Sequence, residues 1–400
     1  MGDVAQSIAP QTIAAEAVKA AIPVAQTLPP VDEQLPVYLI NLSKVALQYN
    51  RWVSLFPNVK PYFAIKCFPD TEIIKTLRDL GANFDCASAG EIDRALNLNI
   101  APERIIFANP CKIPAHIKHA KEVGVHRMTA DSQEEMDKIA RVYPGSGVLL
   151  RIVVCDKDSK LPFSSKFGAD EDIVEPILRH CLSLPITIEG VSFHVGSGGC
   201  TAETFREAVS HGIQIVKLAR ELGHAHANVL DIGGGFVDND SIVEVARGVE
   251  AGMAGCPKDI EFMSEPGRWF CGGCLTLAAP VIATRFRRGR HSVHLSEGAY
   301  GMFSNVVWDK QEIETIIPMG KETAPKLEEP ADLWGPSCDS MDFIVKNIRL
   351  PRMEVGDWVV FPTMGAYTYV SATEFNGFKR GRIIYADDLS FLQTLRKADV

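Results

Sequence analysis

Long apolar runs are missing from this 400-residue chain. Nothing approaches the roughly 18 consecutive apolar residues of a membrane-spanning helix, so no membrane partner is expected. Positive charge is short as well: 41 Lys and Arg against 50 Asp and Glu leave a net charge of −9. No global basic field invites nucleic acid or anionic lipid, and no nucleic acid partner is expected. The 10 cysteines are too thinly scattered for a disulfide scaffold; the pattern suits reduced thiols and a cytoplasmic location. The first 35 residues contain no arginine, are rich in Ala, Pro and Gln, and carry Asp3 and Glu16. They match neither a secretory signal nor an Arg-rich transit peptide, so residues 1–34 are expected to form a mobile extension. No GxGxxG fingerprint argues for dinucleotide binding, and there is no internal repeat. Cys271-Gly272-Gly273-Cys274 has the spacing of a zinc or redox site. No second CxxC or HxxxH completes it, so no metal is expected.

What is present is alternation. From Leu35 to about Glu265, short apolar runs alternate with helix-length amphipathic stretches. Strands are expected at Val37–Ile40, Tyr62–Lys66, Asn83–Ala87, Ile105–Ala108, Arg127–Thr129, Val148–Val154, Thr187–Phe193, Val229–Ile232 and Ile260–Glu265. Helical patterns fall between them, for example over Pro114–Val123, Ser132–Val142 and Ala202–Leu222. Parallel strands with crossover helices follow, and eight or nine such units suit an α/β fold of the (β/α)8 barrel type. After Gly267 the texture changes. Leu275–Thr284, His291–Leu295, Trp358–Phe361 and Arg382–Tyr385 read as strands without regular helices between them, while Lys310–Leu333 reads as a long polar loop. The expected division is therefore residues 1–34, a barrel over 35–270, and a mainly β domain over 271–400 that the first strand can join.

Chemistry gathers at expected strand ends. Pro61-Tyr62-Phe63-Ala64-Ile65-Lys66-Cys67 is an apolar strand closed by an ammonium group, followed by Asp70 as the N-cap of a helix over Thr71–Leu80. A lysine at the end of a buried strand is costly unless it is paired, exposed or chemically used. One use is a Schiff base with a carbonyl cofactor; the other reading is an ammonium that reaches solvent. Phe193-His194-Val195-Gly196-Ser197-Gly198-Gly199 and Asp231-Ile232-Gly233-Gly234-Gly235-Phe236 place glycine-rich loops after late strands. Ser264-Glu265-Pro266-Gly267-Arg268 adds a carboxylate and an arginine after the next strand. Such loops bring backbone N–H groups close to phosphate.

Phe63-Ala64-Ile65-Lys66, His194 to Ser197, Asp231 to Phe236, Glu265 to Arg268 and Gly335-Pro336-Ser337-Cys338-Asp339 occur together and in order. With them the chain resembles the eukaryotic-type ornithine decarboxylases over roughly Leu35 to Tyr385. The residues after Tyr385 lack the long tail of animal members. The resemblance implies an alanine-racemase-like barrel with a C-terminal β domain, pyridoxal phosphate as cofactor, and a homodimer with shared sites. It implies Lys66 as the Schiff-base residue and Glu265 as the partner of the pyridine nitrogen. His194 would stack on the ring, and Ser197, Gly234, Gly235, Gly267, Arg268 and Tyr367 would bind the phosphate. Asp85, Glu91 and Arg151 match positions lining the site; without the resemblance they read as solvated or structural ion pairs. Cys338, contributed by the other subunit, would return a proton to Cα after carbon dioxide leaves. Asp339 and Asp309 would receive the distal ammonium of the substrate.

The implied reaction is decarboxylation of L-ornithine to putrescine. The family's usual Tyr-Asp-His is here Trp308-Asp309-Lys310. Both neighbours of the aspartate differ, and lysine-accepting plant relatives resemble this chain in departing beside that aspartate, so a pocket serving lysine as well as ornithine stays open. Diaminopimelate decarboxylase, alanine racemase and a non-catalytic regulator on the same fold are the other readings. Asp339 after the cysteine opposes the first, and the Cys338 loop opposes the second. Retention of Lys66, Asp85, Arg151, Ser197, Glu265 and Cys338 opposes the third.

Overall fold

A computed structural model describes residues 35–157, 159–319 and 328–386. The expectations for residues 1–34 and for the end of the chain beyond 386 lie outside the described residues. The chain divides into a unit of residues 45–270 and a second unit formed by the residues on either side.

In the first unit, eight parallel strands close into a barrel. They are β2 (Val59–Ala64), β3 (Asn83–Cys86), β4 (Ile105–Phe107), β5 (Arg127–Ala130), β6 (Gly147–Arg151), β7 (Thr187–Ser192), β8 (Val229–Asp231) and β9 (Glu261–Ser264). Each pairs with the next, and β9 closes on β2 through Val59 opposite Phe262 and Pro61 opposite Ser264. The strands are short apolar runs because both faces are covered. Tyr62, Ile106, Leu149 and Val229, from the alternate strands β2, β4, β6 and β8, form a buried layer with Met263. Alternate-strand layers are how a small barrel fills its interior with side chains. Gly190 is required where β7 meets β8, since a Cβ there would stand 1.9 Å from the Val229 carbonyl oxygen.

Helices return the chain between strands, and their ends are written in the sequence. Asp70 accepts the N–H groups of Glu72 and Ile73, both at 3.0 Å, and Gly81 ends the helix Thr71–Leu80 in the left-handed conformation at φ 102°. Ser88, Ser132 and Thr201 cap the helices Ala89–Asn97, Gln133–Val142 and Ala202–Glu221 in the same way. An aromatic cluster of Trp52, Phe56, Phe236, Trp269 and Phe270 packs outside the strands, with ring centroids 4.5–6.1 Å apart at Trp52.

The second unit is mainly β. Its sheet runs β12 (Ile317–Met319), β15 (Trp358–Phe361), β10 (Leu275–Arg287), β11 (Arg290–Leu295), β13 (Glu328–Trp334), β14 (Phe343–Pro351). The strand β1 (Val37–Asn41) does not join the barrel. It lies antiparallel to β10 and parallel to β16 (Arg382–Ala386), with Val37 packed against Ala278, Trp358 and Val360. An apolar run fully buried on both faces does not reveal which sheet receives it. Two corrections concern the expected loop over Lys310–Leu333, which holds β12 and most of β13, and β14, whose mixed pattern hid it. Pro318 and Pro330 made the first segment read as loop. Among the described residues β12 is an edge strand paired with β15 alone, where a proline is tolerated. Pro330 lies next to the register shift that β13 makes against β14 between Ala331 and Leu333.

Candidate active site

The carboxyl ends of the barrel strands converge on one rim, and the candidate residues of this unit lie there. β2 ends at Ala64, and Lys66 stands two residues beyond, in a single 3-10 turn over Ile65–Cys67. The strand expected to run through Lys66 thus ends two residues earlier, at Ala64. The Lys66 side chain is 43% exposed and forms an ion pair with Asp85 of β3, which is fully buried. The ammonium is therefore paired rather than desolvated, which removes the cost expected for a lysine at this position. The other carboxylate oxygen of Asp85, Oδ1, has no hydrogen-bond partner among the described residues.

Glu91 follows in the first turn of Ala89–Asn97. Its Oε2 accepts the Ala87 N–H at 2.6 Å while Ser88 Oγ accepts the Glu91 N–H at 3.3 Å, a capping-box arrangement. Burial pushes the Glu91 carboxyl up, opposed by the Ala87 bond and reinforced by the charge on Asp85. Arg151 ends β6, its guanidinium 5.3 Å from the centre of the Phe167 ring. His194 follows β7. Burial, then the charges of Arg151 and Lys66, hold its pKa well below the ordinary value, so the ring is neutral. Its Nδ1 accepts the Gly196 N–H at 3.0 Å, which leaves the proton on Nε2.

Beyond β7, Ser197 exchanges backbone hydrogen bonds with Leu161 at 3.1 and 3.2 Å. After β8 come Gly233, Gly234 and Gly235. A Cβ at Gly233 would lie 2.2 Å from the Phe193 carbonyl oxygen, and one at Gly235 would lie 2.6 Å from that of Gly196. No side chain fits either place. The N–H groups of Gly234 and Gly235 find no hydrogen-bond partner among the described residues. Gly267 presses against the Lys66 turn, since a Cβ there would stand 2.8 Å from Cys67 Cβ, and Arg268 opens the short helix that follows.

Two carboxyls complete the rim. Asp231 ends β8 and is wholly buried, with Oδ1 accepting the Gly233 N–H at 2.9 Å. Burial pushes its pKa up to about 6. Glu265, just past β9, is raised well above the usual carboxylate range by burial, then by the charges of Asp231 and Asp85. Asp231 Oδ2 and Glu265 Oε1 have no donor facing them among the described residues, so the pair is best satisfied by holding a proton between them. Asp231 stood in the glycine motif without a role; a carboxylate at a strand end before a glycine cluster was the available signal.

The remaining candidates lie in the second unit. Cys338 is exposed, and both its N–H and its thiol donate to Asn376 Oδ1, at 3.3 and 3.4 Å. Asp339 accepts from the Tyr300 hydroxyl and, at 2.9 Å, from the Met341 N–H, which hold its carboxyl below the usual range. Buried Asp342 shapes the loop by accepting from Ser337 N at 2.9 Å and Ala299 N at 2.7 Å. Asn376, Tyr300 and Asp342 were missed, because their roles depend on long-range contacts. Trp308, 76% exposed, ends the short helix Ser304–Trp308, and Asp309 is its C-cap. Tyr367 adopts φ 55°, in the left-handed region. Tyr367 and Asp309 both have partners in the structure.

The first-unit rim fits a phosphorylated carbonyl cofactor with a basic ring nitrogen. Lys66 offers an amine, the glycine loop offers unpaired N–H groups for an anion, and Glu265 offers an enclosed acceptor lacking a donor. Among the described residues, no group of three or more His, Cys, Asp or Glu is placed to hold a metal. No helix there is long and apolar enough to cross a membrane.

Residues 42–272 match the family described as pyridoxal-dependent decarboxylase, pyridoxal binding domain. The chain is 35% identical over 364 residues to the chloroplastic ornithine decarboxylase of Nicotiana glauca, covering 88% of this chain and 84% of that one. Among solved structures, the arginine decarboxylase of Paramecium bursaria Chlorella virus superposes with a TM-score of 0.87 at 33% identity, over 92% of this chain and 99% of that one. The Vibrio vulnificus lysine/ornithine decarboxylase with cadaverine superposes with a TM-score of 0.85 at 28% identity, over 95% and 99% of the two chains.

Proposed function

Given that the chain belongs to the ornithine-decarboxylase-type amino-acid decarboxylases and takes pyridoxal phosphate as its cofactor, we propose that it converts L-ornithine to putrescine and carbon dioxide. The observation that carries this reading is the Lys66–Asp85 pair on the same rim as the Gly233–Gly235 loop and the donor-less Glu265 oxygen. Lys66 Nζ would hold the carbonyl carbon of the cofactor, and Asp85 balances its positive charge beforehand. Glu265, already holding a proton against burial and its neighbour Asp231, would give that proton to the ring nitrogen and become its counter-ion. Neutral His194 presents a flat ring that can stack without adding charge. Ser197, Gly234, Gly235, Gly267, Arg268 and Tyr367 would hold the phosphate, and Arg151 would sit beside the cofactor.

When bound, pyridoxal phosphate supplies a ring that accepts the electron pair left on Cα as the bond to the carboxylate breaks and carbon dioxide departs. The Cys338 thiol then gives its proton to Cα. Its hydrogen bond to Asn376 Oδ1 orients that proton, and solvent restores it. Asp309 and Asp339 receive the distal ammonium, and Tyr300 keeps Asp339 ionised and fixed. The protein works in this reading as a homodimer, each subunit lending its Cys338 loop to the site of the other. The ten cysteines, too thinly scattered for a disulfide scaffold, support a reducing, cytoplasmic setting.

A second reading, a site serving lysine as well, is favoured by Trp308 and Lys310 around Asp309 and by the likeness to the Vibrio lysine/ornithine enzyme. One methylene in a pocket discriminates by only about 10- to 200-fold. Competition kinetics with ornithine, lysine and arginine separate the readings. We expect ornithine to be preferred with measurable turnover of lysine. A kcat/KM ratio above about 1,000 for ornithine over lysine would rule out the relaxed pocket, and preference for arginine would overturn the ornithine assignment.

A further inference from the structure

The chain is acidic overall, yet Arg285, Arg287, Arg288 and Arg290 fall within six residues of one hairpin. β10 and β11 meet there with Arg287 opposite Arg290 and Phe286 opposite His291. Arg288 and Gly289 turn the chain with φ 56° and 75°, the left-handed pair of a type I′ turn. Arg285 and Arg287 share one face of the ribbon, and Phe286 lies on the other, 65% exposed and 4.9 Å from the His291 ring. Of the four arginines, Arg290 alone has an acidic partner among the described residues, Asp332 at 3.0 Å. Arg285, Arg287 and Arg288 make no ion pair or side-chain hydrogen bond among the described residues. Like charges set directly across a ribbon destabilise it, so folding alone gives no reason to collect them here.

The same segment is an open sheet edge. On its other side β10 is covered by β15 from Leu277 to Pro280, and the pairing ends where Val281 N donates to the Asp357 oxygen at 2.7 Å and Gly356 N donates to the Val281 oxygen at 2.9 Å. From Ile282 to Arg287 no strand among the described residues pairs along that edge, and residues 283–287 are exposed. Such an edge offers a row of backbone donors and acceptors to an added strand. Its arginines repel a second copy of the same edge and attract an acidic one. Arginine with an aromatic residue, and no lysine, is also the composition of interface centres rather than of solvated charge. Nucleic acid suits the patch less well. Three free cations neutralise few phosphates, and a longer polyanion would run onto a protein of net charge −9.

We propose that the Ile282–Arg287 edge docks an extended acidic segment of a partner protein, which adds as a strand beside β10 while its carboxylates meet Arg285, Arg287 and Arg288. The probe is a fluorescein-labelled ten-residue peptide of alternating Glu and Val, titrated against the purified full chain and read by anisotropy. Saturable binding that weakens with salt is expected. The triple variant Arg285→Glu/Arg287→Glu/Arg288→Glu should weaken it about tenfold or more while ornithine turnover is unchanged, which shows the fold intact. The same peptide with alternate backbone nitrogens methylated should also bind at least about tenfold more weakly, because it cannot pair along the edge. No binding of the Glu-Val peptide, binding indifferent to the triple reversal, or equal binding of the methylated peptide would overturn the proposal. So would tighter binding of a single-stranded oligonucleotide at the same salt.

Discussion

At the scale of single residues, the barrel rim gathers charges that are individually unfavourable and only partly satisfied by one another. Asp85, Asp231 and Glu265 are three enclosed carboxyls around one lysine and one arginine, and burial raises two of them. Asp231 shows what this implies for stability. Its folded pKa of about 6 exceeds the unfolded value, so the folded state holds a proton that the unfolded state releases first. The favourable contribution is complete below about pH 4 and is lost as the pH rises through 6, with Glu265 titrating as the other half of the pair. Asp231→Asn should therefore stabilise the cofactor-free protein at pH 8, with the gain shrinking towards zero near pH 4. Urea midpoints across that range measure it. A gain that grows as pH falls would contradict the assignment.

At the scale of elements, the strand ends and tight turns set the geometry. The Lys66 turn is held from behind by Gly267, whose missing Cβ leaves room for Cys67. Gly267→Ala should push the turn away and reduce turnover at least about tenfold, with a stability cost of only about 1–3 kcal/mol. Normal kcat together with a lowered melting temperature would show that the contact matters only for packing. Much of this scale was legible in the residues. The Asp70 cap, the barrel strands and the glycine loops all depend on neighbours within a few positions, which a sequence displays directly. The placement of β1 beside β10 and the strands hidden by Pro318 and Pro330 depend on partners far along the chain. The same distinction separates Lys66, visible as an ammonium closing an apolar run, from Asn376, whose contact with Cys338 spans 38 positions. Asp85 was placed at the site only by resemblance; that it neutralises Lys66 emerges from the fold.

At the scale of the whole molecule, the proposed sites need two chains. If Lys66 of one subunit works with Cys338 of another, mixing Lys66→Ala with Cys338→Ala chains should restore up to about a quarter of wild-type activity. Random pairing makes about half of the dimers mixed, each with one intact site. No recovery, under conditions where subunits demonstrably exchange, would place both residues in one chain's site or remove Cys338 from the reaction. The most direct test of the account is chemical: treat the purified protein carrying pyridoxal phosphate with borohydride, digest it, and locate the reduced cofactor by mass. We predict that it lies on the Lys66 peptide and that ornithine turnover disappears in step with its incorporation. Attachment to another lysine, or full turnover by Lys66→Ala, would contradict the account.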